Sequence, residues 1–400
     1  MTRGRQAILI DARVNGMAGA HGIARSVMKL AAHLEPADDG LAVKVLVNPA
    51  RPQTFPLSDL PPHAELIGTD ITFAAAHRCL ELAGLIRAAG AAVLYVPYPP
   101  FTPLVRPCPI VVTLHDCTVE RNAGFAGGWH RQAGLKLATM AVLGRAAAIT
   151  APSRASLAEI RQHYPSAPCP TLVPNGVDTS QFTPASAGAV AAARELYGLP
   201  ERFILTVGAH RPHKNHEILV RSLAALPAHV SLVIVGYFDP TFSEPLPALI
   251  RQLGLTSRVR LVPEVADEWL PAVYSAASVF AFPSLAEGFG IPVLEAMACG
   301  VPVVASSIPA VAEIAGRAAV LVDPRDQDGW TSAIAAVLAE PALAARLAGA
   351  GRDVARGVSW RRGASALRAL LAGVATGHEP PPGRRADVAA VGAPGRGGYD

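Results

Sequence analysis

The chain has 400 residues, of which 51% are hydrophobic and only 16% charged, with a formal net charge of +4. Single cores stop growing beyond roughly 250–300 residues, so this length predicts two domains, each able to bury a sizeable core. So small a charge excess does not suggest nucleic acid as a partner. The five cysteines, Cys79, Cys108, Cys117, Cys169 and Cys299, form no CxxC pair, so neither a zinc site nor a disulfide framework is indicated, and reduced thiols in a cytoplasmic protein are expected. Cys117 stands out by its place beside His115 and Asp116. The apolar run in MTRGRQAILIDAR is too short for a signal peptide. No run of roughly 18 uninterrupted apolar residues predicts a membrane span; Leu135 to Ala151, which contains Lys136 and Arg145, reads as a packed helix followed by a strand.

In chain order, strands are predicted at Ala7 to Ile10, Val43 to Val47, Val93 to Val96, Ile110 to Leu114 and Ala148 to Thr150. Helices are predicted at His21 to Leu34, around Ala74 to Ala89, near Trp129 to Leu143 and from Ser153 through Tyr164. That alternation predicts a parallel, doubly wound α/β sheet over residues 1–180. The turn-rich VPNGVDTSQFTP (173–184) closes the unit. A second Rossmann-like unit over 186–355 begins at Phe203 to Val207. Its further strands lie at Leu232 to Val235, Val259 to Leu261, Val279 to Ala281, Val303 to Ala305 and Val320 to Val322. The amphipathic stretch 356–374 carries Trp360, Leu367, Leu370 and Leu371 on its apolar side, and the Pro/Gly-rich tail 377–400 is expected to be disordered.

The richest segment is FAFPSLAEGFGIPVLEAMACGVPVVASS, residues 280–307, where Glu287 and Glu295 stand eight positions apart around Gly288, Phe289 and Gly290. A strand, a Gly-rich turn, a helix ended by Cys299-Gly300 and a second strand make a βα unit. Its turn lies at the carboxyl end of a sheet, where open α/β folds bind ligands. Backbone N–H groups at such a turn, with the helix dipole behind them, suit a phosphate; the two carboxylates suit hydroxyls instead. A ligand bearing both is a nucleotide sugar.

EGFGIPVLE followed by AMACGVPVVAS resembles the signature of the family 4 retaining glycosyltransferases, whose fold is GT-B: two Rossmann-like doubly wound domains facing across a cleft. The likeness covers residue 7 to about 373. It implies transfer of a sugar from a nucleotide-sugar donor to a hydroxyl of a saccharide or lipid-linked saccharide, with retention at the anomeric carbon. It also implies that 356–374 crosses back onto the first domain. Glu287 would grip the sugar and Glu295 the ribose. Lys214, in VGAHRPHKNHEIL, is similar to the family's basic loop and would meet the diphosphate. The match departs at His213, where a basic neighbour is usual, and at Ala209, where several members place a second arginine; Arg211 is the candidate replacement. His115, with Asp116 in VVTLHDCTVE, resembles the family histidine lining the sugar site, as a hydrogen-bond donor.

The first Gly-rich turn, with Gly16, Gly19 and Gly22, does not have GxGxxG spacing; Gly22, Ile23 and Arg25 match the family loop that approaches the donor. Asp326-Gln327-Asp328 spells a metal-binding string of a different glycosyltransferase fold, but its place before a helix makes Asp328 an expected N-cap, and no metal or cofactor is assigned. Glu313 matches a family glutamate, read as polar packing or loop anchoring. The RPHKN loop resembles that of bacterial mannosyltransferases, a likeness that implies GDP-mannose over UDP-sugars. The implied setting is surface polysaccharide or glycoconjugate synthesis, cytoplasmic and peripheral at the inner membrane face. A non-catalytic GT-B binding protein and a GT-B epimerase or phosphorylase are the rival readings.

Overall fold

The computed structural model describes residues 6–17, 21–73, 75–99, 102, 105–238, 242 and 245–377. Gly19 and the tail expected to be disordered beyond Gly377 lie outside these residues.

The first sheet comprises β1 (Ala7–Asp11), β2 (Ala42–Val47), β3 (Glu65–Gly68), β4 (Ala91–Val96), β5 (Ile110–Thr113), β6 (Ala148–Ala151) and β7 (Thr171–Leu172), in the order β3-β2-β1-β4-β5-β6-β7. The second comprises β8 (Phe203–Val207), β9 (Ser231–Val235), β10 (Val259–Val262), β11 (Val279–Phe282), β12 (Val303–Ser306) and β13 (Ala319–Val322), in the order β10-β9-β8-β11-β12-β13. Every pairing in both is parallel. This is the two-domain GT-B architecture.

Strands covered on both faces must be apolar at successive positions, and β11 shows the consequence. Phe280 and Phe282 pack on one side with Val293 and Met297, while Val279 and Ala281 pack on the other with Trp330 and Ile334. The edge strands β3 and β7 have no such signal: β3 is mostly exposed and β7 is two residues long. The helix Trp360–Ala375 leaves the second sheet and buries Trp360, Leu367 and Leu371 against Ile8, Ile10 and Val27 of the first. Truncating one such leucine costs about 2–5 kcal/mol, so this helix is a substantial part of what joins the halves.

In each sheet the strand order reverses beside the first strand, between β1 and β4 and between β8 and β11. Crevices at the carboxyl ends of strands flanking such a reversal are where open α/β sheets hold ligands.

Candidate functional site

The loop after β8 and the turn after β11 leave the second sheet at this reversal. The first carries the 3-10 turn Pro212–Lys214, followed by Asn215, the only described non-glycine residue with positive φ, at 54°. Asparagine tolerates that conformation. Its side-chain amide donates to the carbonyls of Pro324 (2.7 Å) and Pro283 (3.2 Å), and the Leu285 N–H donates to the His213 carbonyl (2.7 Å). The lysine loop is therefore fastened to the end of β11. Lys214 Nζ lies 2.5 Å from Glu287 Oε1 and 5.5 Å from the centre of the Phe282 ring. The two paired side chains keep 17% and 13% of their surface exposed, so the pair is accessible to a ligand.

The turn beyond Glu287 meets the first domain. A Cβ on Gly288 would fall onto the His115 carbonyl oxygen, so the close approach demands glycine. Ser153 Oγ donates to the Gly288 carbonyl (2.7 Å), and Ser156 Oγ lies 2.9 Å from the His115 carbonyl and 3.0 Å from that of Gly288. Phe289 is buried beside it. Gly290, at φ 109°, begins the helix Ile291–Ala298, which no side chain caps. The structure thus gathers His115, Lys214, Glu287, Gly288 and Gly290 at one place between the sheets.

His115 Nε2 lies 2.9 Å from the Pro97 carbonyl, which can only accept, so Nε2 carries the hydrogen. Burial pushes the ring's pKa down against the opposing pull of Asp116, so the ring is neutral and Nδ1 is an acceptor. This corrects the expectation of a donor: the available ring nitrogen accepts. Neighbouring Cys117 is fully buried, and burial with nearby carboxylates pushes its thiol far above the ordinary range, so it is not a poised nucleophile.

Glu295 does not share the opening at Glu287. The helix Ile291–Ala298 carries it inward to 3% exposure, where Tyr274 Oη donates to its Oε2 (2.8 Å) and Arg25 Nη1 lies 3.3 Å from its Oε1. Arg25 also pairs with Asp267 and lies over the rings of Phe55 (4.9 Å) and Phe182 (5.7 Å). Burial opposes the Arg25 charge, but Glu295 and Asp267 together outweigh it and raise its pKa; burial outweighs Arg25 at Glu295, whose pKa is raised. In this conformation both Glu295 oxygens are engaged and the residue bridges the domains. The sequence expectation set this carboxylate on a ribose; in this conformation the helix turns it into the packing between the domains.

Gly22 sits exposed near the start of the helix His21–Ala32, with open space where a Cβ would be. Arg211 flanks the lysine turn and is close enough to Tyr98 of the first domain to act on its phenol. Glu313 proves to be an interdomain group. Its Oε1 and Oε2 accept the N–H groups of Arg154 and Ala155 (3.0 Å each), at the start of the helix Arg154–His163. Asp326, not Asp328, is the N-cap, accepting from the Gly329 N–H (2.9 Å). Among the described residues no group of three His, Cys, Asp or Glu is placed to hold a metal ion.

Sequence reasoning missed Ser153, Ser156, Tyr274 and Asp267. Only the serines left a signal, a Ser-x-x-Ser step ahead of a helix, and it marks a cap rather than a cleft.

Two parallel sheets, each with a strand-order reversal, and a lysine–glutamate pair beside an uncapped helix start define a GT-B protein. Residues 193–354 match the family described as Glycosyl transferases group 1, and residues 20–181 match Glycosyltransferase Family 4. The chain belongs to this family of glycosyltransferases. It is 34% identical over 270 residues to a D-inositol 3-phosphate glycosyltransferase of Xylanimonas cellulosilytica, covering 65% of each chain. It is 36% identical over 215 residues to a GDP-mannose-dependent alpha-(1-6)-phosphatidylinositol monomannoside mannosyltransferase of Mycolicibacterium smegmatis, covering 50% of this chain and 56% of that one. The chain thus spans less than two thirds of the length of these relatives. The solved sucrose-phosphate synthase of Thermosynechococcus elongatus superposes with a TM-score of 0.75 at 25% identity, over 92% of this chain and 98% of that one.

Proposed function

We propose that the chain is a retaining glycosyltransferase that moves a sugar from a nucleotide donor, GDP-mannose or a UDP-sugar, to a hydroxyl of a saccharide or lipid-linked saccharide, in surface polysaccharide or glycoconjugate synthesis. The observation that carries this reading is the Lys214–Glu287 pair, 2.5 Å apart at the strand-order reversal and facing His115 across Gly288. In the donor complex Lys214 turns to the leaving diphosphate, supplying positive potential where negative charge grows. Arg211 and the N–H groups at Gly290 add to it. Glu287, released from Lys214, places its charge beside the oxocarbenium-like sugar and holds its hydroxyls. His115 accepts from a sugar hydroxyl through Nδ1. The acceptor oxygen bonds to the anomeric carbon on the face the diphosphate leaves, and its proton passes to the departing phosphate oxygen. Glu295 takes the ribose only once Arg25 has moved aside.

The mannosyl donor is supported by the basic loop and by the name of the Mycolicibacterium relative; the name of the Xylanimonas relative puts inositol phosphate in the acceptor panel. Nucleotide release measured across GDP-, UDP- and ADP-sugars, with saccharide, lipid-linked and inositol phosphate acceptors, tests the proposal. It predicts transfer from one donor class with the anomeric configuration retained by proton NMR. An inverted product, or nucleotide binding without transfer for any pair, would contradict it.

A further inference from the structure

The corner between β6 and the helix Arg154–His163 carries hydroxyls that the sugar-transfer reading leaves without a task. β5 and β6 are neighbours in the first sheet, so the residues that follow them, His115 and Ser153, come together at its carboxyl edge. Ser153 caps the helix. Its Oγ accepts the Ser156 N–H (3.0 Å), which brings the two hydroxyl oxygens to 3.1 Å. Both serines are only 1% exposed. The N–H groups of Arg154 and Ala155, in the same first turn, are held by Glu313. A helix start of the first domain is thus closed against the second.

Two carbonyls meet at these hydroxyls. That of His115 belongs to the first domain and that of Gly288 to the second, and their oxygens lie 2.9 Å and 3.0 Å from Ser156 Oγ. Carbonyl oxygens converging from opposite sides repel unless hydrogens stand between them. Each serine has one hydroxyl hydrogen. Ser153 donates its own to Gly288 (2.7 Å), which leaves that of Ser156 for His115 (2.9 Å). Two hydrogens thus serve two carbonyls, and at this burial the loss of either leaves an acceptor unsatisfied.

Both hydroxyls act on backbone rather than on the Lys214–Glu287 pair. Glu287 adjoins Gly288 in one turn, however, and the His115 ring is tied to the Pro97 carbonyl of its own domain. We propose that Ser153 and Ser156 are positioning residues for sugar transfer. Their hydroxyls fix the Gly288 carbonyl against that of His115, and so hold Glu287 and His115, which come from different domains, at one mutual distance. The catalytic consequence rests on the sugar-transfer reading; the bridge itself does not.

The test is steady-state kinetics of Ser156→Ala and Ser153→Gly in the full chain, with donor affinity measured directly. Glycine is itself a tolerated N-cap, so Ser153→Gly removes the donating hydroxyl and keeps the helix. Each variant should lower kcat about tenfold to a hundredfold and leave donor affinity within about twofold, because the donor keeps its contacts while Glu287 drifts from His115. Ser156→Thr keeps the hydroxyl and should recover most of the rate. Ser153→Thr, which keeps both cap and donor, takes its place where the added methyl lowers the Tm. Ser222→Ala removes a buried hydroxyl that bonds within the second domain, to the Gln327 carbonyl, and should change Tm alone. Hydrogen exchange read by mass spectrometry follows the bridge without turnover. Ser153→Gly combined with Ser156→Ala should speed exchange across 285–290 and 115–118 by about fivefold or more and leave the helix His216–Ala225 unchanged. Wild-type kcat in both hydroxyl-free variants, an equal rate loss in a threonine variant of unchanged Tm, or unaltered exchange overturns the proposal, because the serines would then only cap a helix. A wild-type chain that transfers no sugar from any donor, with the exchange pattern as expected, would count against the catalytic reading alone.

Discussion

Glu287 and Glu295 stand eight positions apart in one Gly-rich turn and helix, yet they occupy opposite physical situations. Glu287 remains 13% exposed and pairs with Lys214 of its own domain, whereas the Glu295 side chain is 5% exposed and pairs with Arg25 of the other. The turn at Gly288 and Gly290 separates them, leaving one carboxylate at the opening and carrying the other inward on a buried helix. An exchangeable ion pair near solvent suits a residue that must release its partner when a ligand arrives. A buried one suits a hinge, because removing either partner strands the other away from water. The lesson is that spacing alone does not give paired carboxylates a shared task.

The largest expected effect lies on the exposed side of this comparison. Lys214→Ala should lower kcat/KM by roughly a hundredfold to a thousandfold, with Tm nearly unchanged, because the positive potential at the leaving group goes while the fold keeps its packing. On the buried side the balance reverses. Arg25→Ala should destabilise the chain by about 2–3 kcal/mol in urea titrations at neutral pH, since burial already raises the Glu295 pKa and loss of the cation leaves that carboxyl either charged without its partner or protonated at a cost; the partial exposure of Asp267 holds the figure below that of a fully buried pair. A stability loss near zero would mean that the two carboxylates are not equivalent to a bridge.

Acid should expose a further difference around the lysine loop. Burial pushes His210 down to about 4 and holds His213, His216 and His115 below the ordinary histidine value of 6.5. A base whose folded pKa is depressed contributes stability above its unfolded pKa and loses it as pH falls toward the folded value. The urea midpoint should therefore drop as pH falls from 6.5 toward 4. His210 stacks on Phe238 at 3.8 Å and neither ring nitrogen has a hydrogen-bond partner. His210→Phe keeps the stack and should make the acid loss shallower; an unchanged slope would remove His210 from this account.

The smallest expected effect is at Glu313. Glu313→Gln weakens two charge-assisted bonds to the helix Arg154–His163 and should cost about 1 kcal/mol, read as a threefold to fivefold rise in donor KM with kcat nearly constant. Equal loss in kcat would place Glu313 in the reaction rather than in domain closure.

The fold was legible because doubly covered parallel strands are continuous apolar runs, as in β8 and β11, while the exposed β3 and the two-residue β7 offer no such run. Lys214 and Glu287 were legible because each lies within a local motif. The Arg25–Asp267 pair was not, since its members are 242 positions apart and only docking of the two sheets brings them together. Glu313 was visible as a residue but not as a cap, because the helix it caps belongs to the other domain. Asp328 was preferred over Asp326 because both precede the same helix, and only the bond to Gly329 shows which of them turns back.

The central claim is that the exposed pair does the chemistry, and steady-state kinetics of Glu287→Gln at saturating donor, beside direct measurement of donor affinity, tests it most directly. The account predicts kcat lowered by roughly tenfold to a thousandfold with affinity nearly unchanged, whereas Glu295→Gln should act mainly on KM and stability. Wild-type turnover in Glu287→Gln would contradict it.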